Sequence, residues 1–134
     1  MANVIDIKDI GPKYGEKLQA AGILTTQVLL KKGATATGRR EIAEKTALDE
    51  KQILAWVNHV DLFRIKGVGL EYADLLELVG VDTVTELAQR SPDELHEAIV
   101  AINRKKKQVR QLPSKEQVKH WVAQAKKLPR IISY

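Results

Sequence analysis

Moving the sequence along itself by 58 positions superimposes Ile10-Gly11 on Val68-Gly69, Gly15 on Ala73, Leu18 on Leu76, Gly22-Ile23 on Gly80-Val81, Thr25 on Thr83 and Leu29 on Leu87. A second register, seven residues longer, places Gln52-Ile53 on Gln117-Val118 and Trp56-Val57 on Trp121-Val122. A duplication of this kind confines the chain to folds in which one supersecondary unit is used twice, because each half has the same apolar positions to bury. The repeats divide as residues 1–62 and 63–134, and the extra seven residues fall in the later copy near 103–113. With 134 residues, 44% of them hydrophobic, the two copies are expected to share one core and form a single domain.

The unit being repeated is helical. Apolar mass comes from Leu, Ala, Val and Ile, and aromatic residues make up only 4% of the chain. Thr83 with Glu86, Ser91 with Glu94 behind Pro92, and Ser114 with Gln117 have capping-box spacing and mark helix starts. Gly22, Gly33 and Gly80 follow apolar-periodic stretches and mark helix ends, where glycine enters the left-handed conformation without a Cβ penalty. These signals predict helices near 12–21, 26–32, 38–46, 50–63, 70–79, 83–90, 92–107 and 115–128.

The segment Lys66-Gly67-Val68-Gly69-Leu70-Glu71-Tyr72-Ala73 resembles the helix-hairpin-helix signature, a Gly-hydrophobic-Gly turn followed by a small residue that allows close helix approach. The earlier copy, Asp9-Ile10-Gly11-Pro12-Lys13-Tyr14-Gly15, keeps the pattern except that Asp9 replaces the first glycine. The resemblance implies non-sequence-specific binding of a DNA backbone. Backbone N–H groups at the start of the second helix, with the helix dipole behind them, suit a phosphate. Gly11, Pro12 and Lys13 are the expected contacts in the first hairpin, and Gly67, Val68 and Gly69 in the second. Glu71 stands where the first hairpin has Lys13, and Asp74 and Glu77 follow it, so the second hairpin reads more readily as a packing device than as a phosphate site.

Only Val4 to Lys8 precedes the first hairpin, whereas a full helix ending in Leu62-Phe63 is predicted before the second. The expectation is that the C-terminal helix carrying Trp121 folds back on the first hairpin and closes a pseudo-twofold body, bringing Lys126, Lys127 and Arg130 near Lys13. Trp56 and Trp121 occupy equivalent places and are read as packing residues. The apolar tail Ile131-Ile132-Ser133-Tyr134 is expected to cover the core or a neighbouring subunit.

The net charge of +5 is unevenly placed: residues 1–102 hold 12 Lys/Arg against 16 Asp/Glu, and residues 103–134 hold 10 against Glu116 alone. Arg104, Lys105, Lys106, Lys107 and Arg110 form the densest positive cluster, which points to a polyanionic partner, with a plain solvated face as the alternative. The stretch from Arg39 to Trp56 resembles a repressor-type helix-turn-helix, but Ala47 replaces the turn glycine and Asp49-Glu50 open the would-be reading helix, so core packing accounts for it better.

Chemistry is poorly supplied. The chain has no cysteine, its three histidines (His59, His96 and His120) are scattered, and its serines are explained as caps or tail. No enzyme activity, metal or cofactor is expected. Met1 to Ile10 carries acids rather than a basic leader, and with no cysteine a cytoplasmic location is expected, without a membrane segment.

In order, Ile-Gly-Pro-Lys-Tyr, Gly-Arg-Arg-Glu, Trp56-Val57, Arg64-Ile65-Lys66-Gly67-Val68-Gly69, Glu71-Tyr72, and Pro113-Ser114 with Trp121 resemble the domain-of-unknown-function family number 4332 over nearly the whole chain. That resemblance implies a tandem helix-hairpin-helix protein and brings no activity with it. The expected fold is all-α: two pseudo-symmetric helix-hairpin-helix repeats packed as one compact domain of the SAM or helix-hairpin-helix-like kind. The expected function is non-enzymatic grip on nucleic acid, DNA in particular, by its phosphates. The alternative is a protein-interaction scaffold whose basic end docks an acidic protein.

Overall fold

The computed structural model describes residues 2–134, and every regular element among them is helical. The chain divides into two units, the first running up to Val60 and regaining Ile131–Tyr134, the second spanning Asp61–Arg130. The first opens with a 3-10 helical turn, Val4–Asp6, capped by the Asn3 side chain, and continues through α1 (Gly11–Ala20), α2 (Thr26–Gly33), α3 (Ala36–Thr46) and α4 (Glu50–Asp61). The second opens with a 3-10 turn, Leu62–Arg64, followed by α5 (Leu70–Leu78), α6 (Val84–Ala88), α7 (Pro92–Lys106) and α8 (Lys115–Lys127). The two 3-10 turns begin 58 residues apart, as do α2 and α6, and α4 and α8 begin 65 apart, matching both registers of the sequence. Among the described residues, no helix is long and apolar enough to cross a membrane.

Capping explains most of the boundaries. The side chains of Thr25, Thr35 and Thr83 accept from backbone N–H groups of Val28, Gly38 and Glu86, and Ser114 with Gln117 forms the full reciprocal box at α8. Ser91 does not cap with its side chain, and α7 relies on Pro92, whose fixed φ suits the first turn. Gly22 and Gly80 terminate α1 and α5 in the left-handed region at φ +87° and +88°. Gly33 instead ends α2 in ordinary helical geometry. It is glycine because α4 passes so closely that an added Cβ would collide with the Val57 side chain.

Each unit buries its own apolar set. In the first, Val4, Ile7, Ile10, Leu18, Ile23, Leu29, Ile42, Ile53 and Val57 are buried, and the tail contributes Ile132. The Arg39 guanidinium, almost fully enclosed, bonds the carbonyl oxygens of Gly33 (2.8 Å) and Ser133 (2.7 Å), tying that tail to the end of α2. In the second, one cluster runs from Leu62 and Ile65 through Leu75, Leu76, Leu87, Leu95 and Ile99 to Val118 and Val122. The buried Asp61 carboxylate accepts from Arg64 Nε at 2.8 Å and from the Val84 N–H at 3.0 Å, so one acid locks the 3-10 turn to the start of α6.

Trp121 departs from expectation. It does not serve the first glycine turn: its ring packs on Tyr72 of its own unit at 5.3 Å, and its indole Nε1 would stand 3.1 Å from a Cβ on Gly67. Trp56 meets Tyr14 in the first unit in the same way, with centroids 5.5 Å apart. The expectation that α8 closes over the first turn rested on a missing partner helix. The difference in what precedes the turns is there, since α4 runs directly into the 3-10 turn Leu62–Arg64 before the second while only the 3-10 turn Val4–Asp6 precedes the first, but each unit supplies its own closing tryptophan.

Gly67 is therefore constrained twice, by φ +95° and by the indole, whereas Gly69, at φ −102°, has open space where its Cβ would stand. Gly67→Ala is expected to destabilise the second unit by about 2 kcal/mol in chemical denaturation, and Gly69→Ala by less than about 0.5 kcal/mol.

A second expectation concerns the link between α5 and α6. There the hydrogen bond to Glu86, helped by burial and by the charges of Glu86 and Glu77, pushes the Asp82 carboxyl up to about 6, while the same bond holds Glu86 below its ordinary value. A raised carboxyl favours the fold while protonated, so its contribution is complete below the unfolded Asp value and is lost as pH rises through about 6. Thermal melts should show the wild type losing more stability than Asp82→Asn between about pH 5 and about pH 7, because the amide keeps a donor toward Glu86 at every pH.

Candidate functional site

The two glycine turns, residues 7–11 and 65–69, match in sequence but not in backbone. The second places Gly67 in the left-handed region. The first has Asp9 at that position, and a side chain with a Cβ resists that conformation, so the positive φ moves to Gly11 at +64°. In this geometry the Gly11 N–H donates to the Ile7 carbonyl oxygen at 2.9 Å. Pro12, next in line, has no N–H. Of the three residues expected to cradle an anion in the first turn, two offer no amide, and Lys13 is left as an exposed side chain at the start of α1.

The second turn is differently provided. Val68 is buried as the apolar plug and donates its N–H to Ile65 within the turn. The ladder of α5 begins only with Ala73, whose N–H reaches the Gly69 carbonyl oxygen at 2.9 Å, and no side chain caps the helix start. The preceding amides of Leu70, Glu71 and Tyr72 find no protein acceptor among the described residues, leaving a start of positive partial charge. Lys66, at the edge of the turn, is held on both sides by Gln124 of α8, whose Oε1 accepts from the Lys66 N–H (2.9 Å) and whose Nε2 donates to its carbonyl oxygen (3.2 Å).

The seven inserted residues shape the space in front of that helix start. α7 stops where Lys107 turns left-handed, at φ +48°, with its N–H bonded to the Asn103 carbonyl oxygen. The Asn103 amide then brackets Val109, donating to its carbonyl oxygen at 3.1 Å and accepting from its N–H at 3.0 Å, so the loop doubles back with Val109 buried. The Tyr72 hydroxyl fastens the far end by donating to the Gln111 carbonyl oxygen. The result is a cleft of about 670 Å³ with Gly67, Gly69, Leu70, Glu71 and Tyr72 on the turn side. Lys107, Gln108, Arg110 and Gln111 line the loop side.

Of the expected binding residues, the structure thus brings together Gly67, Gly69, Lys107 and Arg110. Val68 is in the core behind them, and Arg104, Lys105 and Lys106 form the exposed last turn of α7, where cations complement the helix dipole. Neither Lys107 nor Arg110 is engaged in an ion pair among the described residues. Gln108, Gln111 and Tyr72 were not anticipated at the site. The 58-residue register, which sets Tyr72 on Tyr14 as it sets Gly69 on Gly11, carried a signal for Tyr72. Nothing in the sequence marked the glutamines.

In the helix-turn-helix-like stretch, Ala47 adopts the left-handed turn conformation at φ +58°, and α4 buries Ile53, Trp56, Val57 and Val60. Its first turn is acidic, with Glu50 paired to Arg40 at 3.7 Å. This helix is core, and Asp49 and Glu50 put acid beside Lys51 where it opens.

No curated protein and no solved structure matches the chain. The model of one family does match, over residues 8–128, which is nearly the full length. The chain belongs to the family described as Domain of unknown function (DUF4332).

Proposed function

We propose that this protein is a non-enzymatic binder of nucleic acid that grips the sugar-phosphate backbone without reading bases, through a helix-hairpin-helix turn in its second unit. The observation that carries the reading is the delivery of two unpaired cations, Lys107 and Arg110, into the cleft where the amides of α5 lack acceptors. Phosphodiester oxygens accept from backbone N–H groups and from Lys and Arg together, and such contacts position a strand without conveying sequence. Charge within this unit is polarised in the same sense: residues 61–102 hold three Lys/Arg against nine Asp/Glu, and residues 103–130 hold ten against one. Arg104, Lys105 and Lys106 extend the positive surface along the end of α7. The first turn serves packing. A cysteine-free chain of this kind suits a reducing, cytoplasmic setting.

Salt titration of oligonucleotide binding provides the test, because each neutralised phosphate releases counterions and adds to the slope of log affinity against log salt. Replacing Lys107 and Arg110 together by alanine is expected to weaken binding at least about tenfold at low salt and to flatten that slope by about 1.4 for a single strand. Lys13→Glu, in the first unit, is expected to leave both within about twofold. Sensitivity to Lys13 with indifference at Lys107 and Arg110 would move the site to the first turn. Wild-type binding weaker than about 100 micromolar at low salt would leave the scaffold reading in its place.

A further inference from the structure

The cleft of the second unit is not uniformly positive. Glu71 lines it together with Lys107 and Arg110, and its carboxylate forms an ion pair with neither. For a site that takes phosphate alone, an exposed carboxylate in the same cleft is a liability, since it repels the ligand and no lysine or arginine neutralises it. The three unpaired charges are satisfied at once by a ligand that presents an anion and, beside it, a hydrogen-bond donor.

A ribose phosphate has that composition. Its phosphodiester supplies acceptors for Lys107 and Arg110, and its 2′-hydroxyl supplies a donor for a carboxylate, which is acceptor-only when ionised. Deoxyribose offers the anion without the donor. Base stacking does not compete as a basis for recognition in this unit: Trp121 is buried, and the half-buried Tyr72 has its ring on Trp121 and its hydroxyl on Gln111. Discrimination at this cleft therefore falls to sugar and phosphate.

We infer that the cleft selects RNA over DNA, with Glu71 accepting a hydrogen bond from the 2′-hydroxyl beside the phosphate held by Lys107 and Arg110. The inference rests on the backbone-binding reading and names the strand that reading leaves open. In it, Glu71 is a specificity residue: it weakens binding of any strand lacking the hydroxyl and returns that loss when the hydroxyl is present.

Fluorescence anisotropy at low salt, with the full-length chain and three matched unstructured single strands (RNA, 2′-O-methyl RNA and DNA), separates the possibilities. The 2′-O-methyl strand keeps the ribose and removes the donor. The wild type is expected to bind RNA about five- to tenfold more tightly than either of the others. Glu71→Ala is expected to bring all three within about twofold of one another, with DNA bound as well as before or better. Circular dichroism of the variant, whose site is exposed, checks that α5 is intact. Equal binding of RNA and 2′-O-methyl RNA by the wild type, or a preference that survives Glu71→Ala, would overturn the inference while leaving backbone binding in place. If none of the three strands binds more tightly than about 100 micromolar, backbone binding itself fails.

Discussion

The contact on which each unit depends is the one between a tyrosine at the start of its glycine-turn helix and a tryptophan near the middle of its last helix. Tyr14 meets Trp56 at 5.5 Å and 50°, and Tyr72 meets Trp121 at 5.3 Å and 52°, so the same tilted aromatic pair closes the beginning of each unit on its end. Trp121 also adds to the demand for glycine in the second turn, which φ +95° at Gly67 already makes, because its indole Nε1 would stand only 3.1 Å from a Cβ there. Once the tryptophan is seated, Gln124, one helical turn on, reaches the Lys66 backbone and holds the turn by two hydrogen bonds.

What distinguishes the two units is what each adds to this shared frame. In the first, Asp9, Gly11 and Pro12 leave the turn with few amides to offer, and Arg39 is committed to the carbonyl oxygens of Gly33 and Ser133. In the second, the turn keeps both glycines, and the insertion after α7 bends back through Lys107 and Asn103 to put cations in front of it. A left-handed lysine costs on the order of 1 kcal/mol, and two hydrogen bonds from one asparagine side chain are enough to offset it. Duplication followed by divergence of the turn and of one loop accounts for two units with different surfaces at their glycine turns.

The helices were legible in the sequence because their signals are local. Threonine and serine caps, glycine stops and apolar spacing place all eight to within about two residues at most boundaries, and the duplication independently paired Trp56 with Trp121. The arrangement of the site was not, since it depends on contacts between distant residues. The repeat register shows that Trp121 is equivalent to Trp56 but not which turn it covers, and α8 was assigned to the wrong one. The charges of Lys107 and Arg110 are plain in the sequence, but their position before α5 follows from the Asn103 bracket and from the Tyr72 bond to Gln111, 39 residues away. Gly11 and Lys13 looked the better anion site because the acid at Glu71 is visible in sequence, whereas the internal bond that occupies the Gly11 N–H is not.

The central claim is that a phosphate-bearing strand enters the cleft between the second glycine turn and the loop that follows α7. Amide chemical-shift mapping of the intact chain during titration with a short single-stranded RNA addresses it residue by residue. The account predicts that the largest shifts fall on Gly69, Leu70, Glu71 and Tyr72 and on Lys107 to Gln111, with Gly11 to Lys13 nearly still. Shifts centred on Gly11 to Lys13, or spread evenly over exposed lysines with none at Gly69 to Tyr72, would contradict it.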